Sequence, residues 1–135
     1  MKKLAVLLLV QYAFLPLSFA ADGTSALQGL VQALRSQKSV GDCKIVGMGH
    51  PAGGIAVRLQ KGGKTQTLLI NDPATSPESR IVFDGKTYDA MDSDAIGWSH
   101  EIFQVDGNGT IVSITLSETI NGTETPVSAP EVICQ

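Results

Sequence analysis

Three groups of side chains in this sequence could do chemistry. His50 and His100 are its two imidazoles, candidates for a base or a metal ligand. Asp89, Asp92 and Asp94, followed by Glu101, gather carboxylates of the kind that a hard cation or a cationic partner would meet. Cys43 and Cys134 are the only cysteines, and they enclose most of the chain between them. In an oxidising compartment two cysteines read most simply as a disulfide, which removes them as nucleophiles. A structural zinc site needs four ligands, and only the two histidines could be added to them.

None of these residues falls in a recognisable catalytic turn. Ser99 precedes His100, but neighbours in a strand point to opposite faces, so the pair is not preset for nucleophilic attack. Asp106-Gly107-Asn108-Gly109-Thr110-Ile111 resembles the middle of an EF-hand calcium loop. Setting Gly109 at that loop's sixth position puts Gln104 first and Thr115 last, so the anionic first ligand and the closing glutamate are both missing. The glycine-rich stretch from Gly47 to Gly54 lacks the lysine-serine ending of a phosphate-binding loop, and the next segment reads as a strand, so no nucleotide cofactor is expected. Asn108 and Asn121 each begin an Asn-Gly-Thr sequon that also reads as a hairpin turn. Trp98, the sole tryptophan, sits near Ile96 and Met91 as a plug under a loop or an anchor for a partner. The residues singled out for binding are therefore His50, Asp92, Asp94, Trp98 and His100, with none assigned to catalysis or to a metal.

The charge distribution narrows the partners. Lys2 and Lys3, an apolar run from Leu4 to Leu17 and the small-x-small Ser18-Phe19-Ala20 read as a secretory signal, leaving residues 21–135 as one disulfide-stapled domain with no retained membrane anchor. Removing the two lysines takes the formal net charge from -3 to -5. No lysine or arginine follows Lys86, whereas eight of the thirteen acidic residues do. Nucleic acid is disfavoured by that balance, and a cationic partner suits the acidic half.

The elements that must position these groups follow from periodicity. Leu27, Leu30, Val31 and Leu34 give the apolar stripe of a helix over 24–38, with Ser25 and Gln28 as a capping box and Gly41 as a stop. Beyond Cys43, short apolar runs separated by turn dipeptides predict hairpins. Gly62-Gly63 sets Ile55 against Ile70 and Val57 against Leu68. Asp84-Gly85 sets Ile81 against Tyr88 and Arg80 against Asp89. Asn108-Gly109 sets Phe103 against Ile114 and Val105 against Val112, and Asn121-Gly122 brings Val127 opposite Leu116. Pro126 and Pro130 cannot donate to a ladder, which places the last segment at an edge or makes it irregular. Residues 90–99 read as a long crossing without a strand, and an antiparallel rung of Cys43 with Cys134 would put Ile45 opposite Val132.

The expected fold is α+β: one N-terminal amphipathic helix on a twisted antiparallel sheet of about seven or eight strands, curled into a partial barrel, with a β-sandwich carrying a peripheral helix as the alternative. The expected function is that of a small monomeric secreted or periplasmic binding module, without cofactor. It would be an inhibitor or accessory protein that offers an acidic loop to a cationic secreted partner, or else a binder of another protein or small molecule. A small His-dependent hydrolase and a structural envelope component are the alternatives.

Overall fold

The computed structural model describes residues 23–51, 53–76, 78–93, 97–120 and 126–135. The segment read as a secretory signal, Asp94 and the turn expected at Asn121-Gly122 lie outside these residues. Helix α1 (Gly23–Arg35) buries Leu27, Leu30 and Leu34 of the expected stripe together with Ala26, and half-buries Val31. It begins before Ser25, which therefore lies in its first turn rather than at its cap. It ends at Arg35, where Ser36 N–H donates to the carbonyl of Gln32 and Ser36 Oγ to that of Ala33. Gly41 is not the stop: with φ 57° it makes the turn between two strands, and a Cβ there would collide with the backbone of Gln135.

Among the described residues nine strands form two antiparallel meanders instead of one curled sheet, and neither closes. The first runs β1 (Ser39–Val40), β2 (Cys43–Gly49), β3 (Gly54–Lys61) and β4 (Lys64–Asn71). The second runs β5 (Arg80–Phe83), β6 (Thr87–Ser93), β7 (Gly97–Val105), β8 (Ile111–Ile120) and β9 (Pro126–Cys134). The break falls at Asn71-Asp72-Pro73. Pro73 has no N–H for a ladder, and the Asp72 carbonyl accepts from Thr75 and Ser76 at 3.0 and 2.9 Å, which coils the connection into turns. The helix and the inner faces of both sheets share one core, with Leu30, Leu34, Val57, Ile70, Phe103 and Ile114 fully buried in it.

The predicted registers hold unevenly. In β3–β4, Ile55 faces Ile70 and Val57 faces Leu68, as the pairing of apolar positions requires. In β5–β6 the turn moves one residue along, so that Phe83 meets Tyr88, Ile81 meets Ala90 and Arg80 meets Met91. The cause is Asp84: its carboxylate accepts the N–H groups of Lys86 and Thr87, both at 2.8 Å, which makes it the first residue of the turn and puts Gly85, φ 95°, at the first central position. In β7–β8, Phe103 meets Ile114, but a bulge pairs Val105 with Ile111 and leaves Val112 exposed. In β8–β9, Leu116 faces Glu131 rather than Val127. β9 is an edge strand with three register shifts, which suits its prolines. Residues 90–99 are strand on both sides of 94–96, not a strandless crossing.

Cys43 and Cys134 are bonded, with Cα atoms 5.4 Å apart. They are not a rung of one ladder. Cys43 faces Val40 and Cys134 faces Ile114, so the bond ties the first sheet to the second, and Ile45 and Val132 lie opposite Leu59 and Thr115. The same seam carries Asp42 N–H to the Gln135 carbonyl at 2.9 Å, Gln135 N–H to Asp42 Oδ1 at 3.0 Å, and Lys61 Nζ to Asp42 Oδ2 at 3.2 Å. The Gln135 N–H, and after it Lys61, holds the Asp42 carboxyl below its ordinary range.

Gly29 shows how closely the helix approaches the second sheet. A Cβ there would lie 2.9 Å from Tyr88 Oη, and that ring is buried and stacked on Phe83 with centroids 4.2 Å apart. Alanine at Gly29 gains about 1 kcal/mol of helix propensity and meets an overpacking cost of about 1 to 3 kcal/mol. Gly29→Ala is therefore expected to lower the urea midpoint in the wild-type background and to raise it in a Tyr88→Phe background. A rise in both would remove Tyr88 as the reason for the glycine.

Candidate functional site

Alternation along β6 turns Tyr88, Ala90 and Asp92 inward and Asp89 and Met91 outward. The same alternation turns Glu101 and Phe103 of β7 inward and His100 outward. With Arg80 and Val82 of β5 and the turn residues Asp84 and Thr87, the outward set lines a cavity of about 470 Å³ on the second sheet. His100 Nε2 and Asp89 Oδ1 are 2.5 Å apart across β6 and β7. Asp89 thus pairs with His100, and not with Arg80, because the shifted turn puts Val82 opposite Asp89. Asp84 carries a firm negative charge here, since the N–H groups of Lys86 and Thr87 hold its carboxyl below the usual range.

This face holds the carboxylates of Asp84 and Asp89, the Arg80 guanidinium and the His100 imidazole around the side chains of Val82 and Met91. Thr87 Oγ1 lies 3.3 Å from Asp84 Oδ1, to which it donates. Ser117 is the register neighbour of His100 on β8, but it is buried and does not line the cavity. A serine, an imidazole and a carboxylate thus lie in sequence across three strands without a hydroxyl offered to a substrate. The geometry suits binding better than nucleophilic attack.

The other residues marked in the sequence go elsewhere. His50 is exposed after β2, where the Arg35 guanidinium at the helix end donates to its Nε2. The two histidines therefore have different partners and do not line one cleft, which removes the convergence that a His-dependent hydrolase would use. Asp92 is buried, with 7 % of its surface exposed, and is not part of a solvated acidic loop. Its Oδ1 accepts the N–H of Asn71 at 2.9 Å, from the end of β4. Asp94 lies outside the described residues. Trp98 belongs to β7, opposite Ser93 and Thr119, and its side chain lies outside the described set. Ser99 faces Asp92, on the opposite side of β7 from His100.

No group of three or more histidine, cysteine or acidic side chains that could hold a metal ion occurs among the described residues. In the stretch that resembles a calcium loop, Asp106 Oδ1 is taken by the N–H groups of Asn108 and Thr110, at 2.8 and 3.0 Å, so its carboxylate builds the hairpin turn. A second cavity, about 490 Å³, opens between the β3–β4 turn and β9, where Lys61 and Lys64 stand against Glu131. Lys61 is already engaged by Asp42 and by the Ile133 carbonyl at 3.3 Å.

The sequence singles out His100 but not Arg80, Val82, Asp84 and Met91, which line the same cavity. The signal was present in the alternation of 80–83 with 87–91, and it was obscured by reading 90–99 as a loop. No family model, no curated protein and no solved structure matches the chain.

Proposed function

We propose that this chain is a small secreted or periplasmic binding module that takes a cationic group of a partner on the outer face of β5, β6 and β7. The observation that carries this reading is the cavity in which Asp84, Asp89 and His100 converge beside Val82 and Met91. A lysine or arginine side chain laid there meets two carboxylates at its head and apolar area along its stem. The reading keeps the cationic partner that the charge distribution suggests and moves the contact from an acidic loop to a strand face. The disulfide, and the absence among the described residues of a helix long and apolar enough to cross a membrane, are compatible with that location.

The test is capture from periplasmic or culture fluid on immobilised protein at low and high salt, followed by titration of the captured partner. Asp89→Asn with Asp84→Asn is expected to weaken binding by roughly tenfold or more, mostly at low salt. A partner held equally by the double variant, or indifferent to salt, would overturn the proposal. Hydrolysis of a chromogenic ester lost on His100→Ala would favour the hydrolase instead.

A further inference from the structure

Beneath the outer face, the inward side of the same two strands holds acidic groups that the binding reading does not use. Asp92 and Glu101 are buried, at 7 % and 2 % exposure, on the core side of β6 and β7. They sit where the end of β4 meets β6, so they bridge the two sheets: Asn71 of β4 donates its N–H to Asp92 Oδ1 at 2.9 Å, and its Nδ2 reaches Ser79 Oγ at 3.4 Å. Asp92 Oδ2 is buried without a hydrogen-bond partner. Glu101 faces Ala90 in the ladder, which makes it the diagonal neighbour of Asp92 on the same inward face, and it and Ser79 are the side chains that interact with Asp92.

Two carboxyl groups brought together away from water cannot both be charged at low cost, and a hydrogen bond between them needs a proton on one of them. We propose that Asp92 and Glu101 share a proton and form a pH-sensitive latch that holds the end of β4 against β6 and β7. Among the described side chains Glu101, from β7, is the titratable group that acts on Asp92, and Asn71 from β4 and Ser79 from the connection to β5 are neutral; Glu118 of β8 is the register partner of Ser99, which itself pairs with Asp92. Burial, acting first, raises the Asp92 carboxyl above its ordinary range against the opposing hydrogen bonds from Asn71, Glu101 and Ser79.

The sign follows from linkage. A carboxyl whose folded pKa lies above its unfolded value binds more protons in the folded state, so its contribution is full at acid pH and is lost as pH rises from 3.8 through the folded midpoint. The equilibrium constant for opening this seam therefore grows about tenfold for each pH unit between those two points. The measurement is native-state hydrogen exchange of the Asn71 amide, expressed as a protection factor, together with the carbon-13 titration of both carboxyl groups. Wild type should lose protection as pH rises and show one carboxyl titrating well above 3.8. Asp92→Asn keeps the acceptor for Asn71 N–H and supplies a permanent donor towards Glu101, so its protection should be flat with pH. Glu101→Gln provides the same readout should the first variant not fold. Protection that varies alike in wild type and both variants would overturn the latch. So would protection restored at pH 8 by millimolar calcium in wild type alone, since the pair would then be holding a cation.

Discussion

Replacing Cys43 and Cys134 together by alanine is expected to cost the domain about 4 to 5 kcal/mol, the chain-entropy value for a loop of this length. The bond spans a sequence separation of 91, so nearly every strand lies inside the loop it closes. A domain of this size has about 5 to 15 kcal/mol in total, which makes this bond a large share of the whole. Its placement adds to the effect, because it joins two sheets whose other ties at that point are few. Asp42 and Gln135 exchange two hydrogen bonds beside it, and Lys61 holds Asp42 from the β3–β4 turn. The two Asp42–Gln135 bonds, and the one from Lys61 Nζ to the Ile133 carbonyl at 3.3 Å, depend on β9 staying where the disulfide puts it. Urea unfolding of the double variant and of the reduced wild type should give the same lowered midpoint, and β9 should lose amide protection first, being an edge strand with two prolines. A midpoint equal to that of the oxidised wild type would contradict this, as would two free thiols in protein taken from its own compartment without reductant.

What the sequence discloses and what it hides divide along physical lines. The stripe of α1 and the register of β3–β4 depend on neighbours in sequence, a 3.6-residue period in one case and two glycines in the other. Gly62 and Gly63 both adopt positive φ, so the turn could be only where the residues allowed it. The β5–β6 turn had two acceptable solutions, and the choice rested on a side-chain acceptor: Asp84 as the first residue of the turn satisfies two N–H groups that it could not reach from a central position. The strands through 90–99 were obscured for a different reason. Asp92 and Glu101 occupy inward positions, where a period-two pattern expects apolar residues, so a buried acidic pair reads as a solvated loop. The candidate cavity was hidden with them, since its residues are the outward partners of those same positions. The cysteine pairing was legible and its geometry was not, because spacing alone does not say whether two strands belong to one sheet.

Gln37 was invisible for the strongest version of that reason: what it does depends on a residue 74 positions away. It lies in the link between α1 and β1. Its Nε2 donates to the carbonyl of Ile111 at 2.9 Å and of Ser39 at 3.0 Å, and its Oε1 accepts the N–H of Ile111 at 2.8 Å. The side-chain amide thus pairs with the Ile111 backbone as a strand would, at the start of β8 where the bulge disturbs the ladder. Ile111 is buried, with 1 % exposed, so water is a poor substitute there. Gln37→Ala leaves a buried N–H and a buried carbonyl unpaired, at about 1 to 3 kcal/mol each; the expected loss is about 2 to 4 kcal/mol in urea unfolding. Gln37→Leu, which fills the space without the bonds, should lose nearly as much, and a leucine variant as stable as wild type would show that the amide contributes only volume. Gln37→Glu separates donor from acceptor. It keeps an oxygen for the Ile111 N–H but sets a carboxylate against the Ile111 carbonyl, which raises the folded pKa of the new acid above its unfolded value. Its deficit relative to wild type should therefore grow as pH rises from about 4.3, the ordinary value for glutamate, and shrink below it, where a protonated carboxyl restores the missing donor. A deficit that does not change with pH would mean that the Ile111 carbonyl never needed the donor.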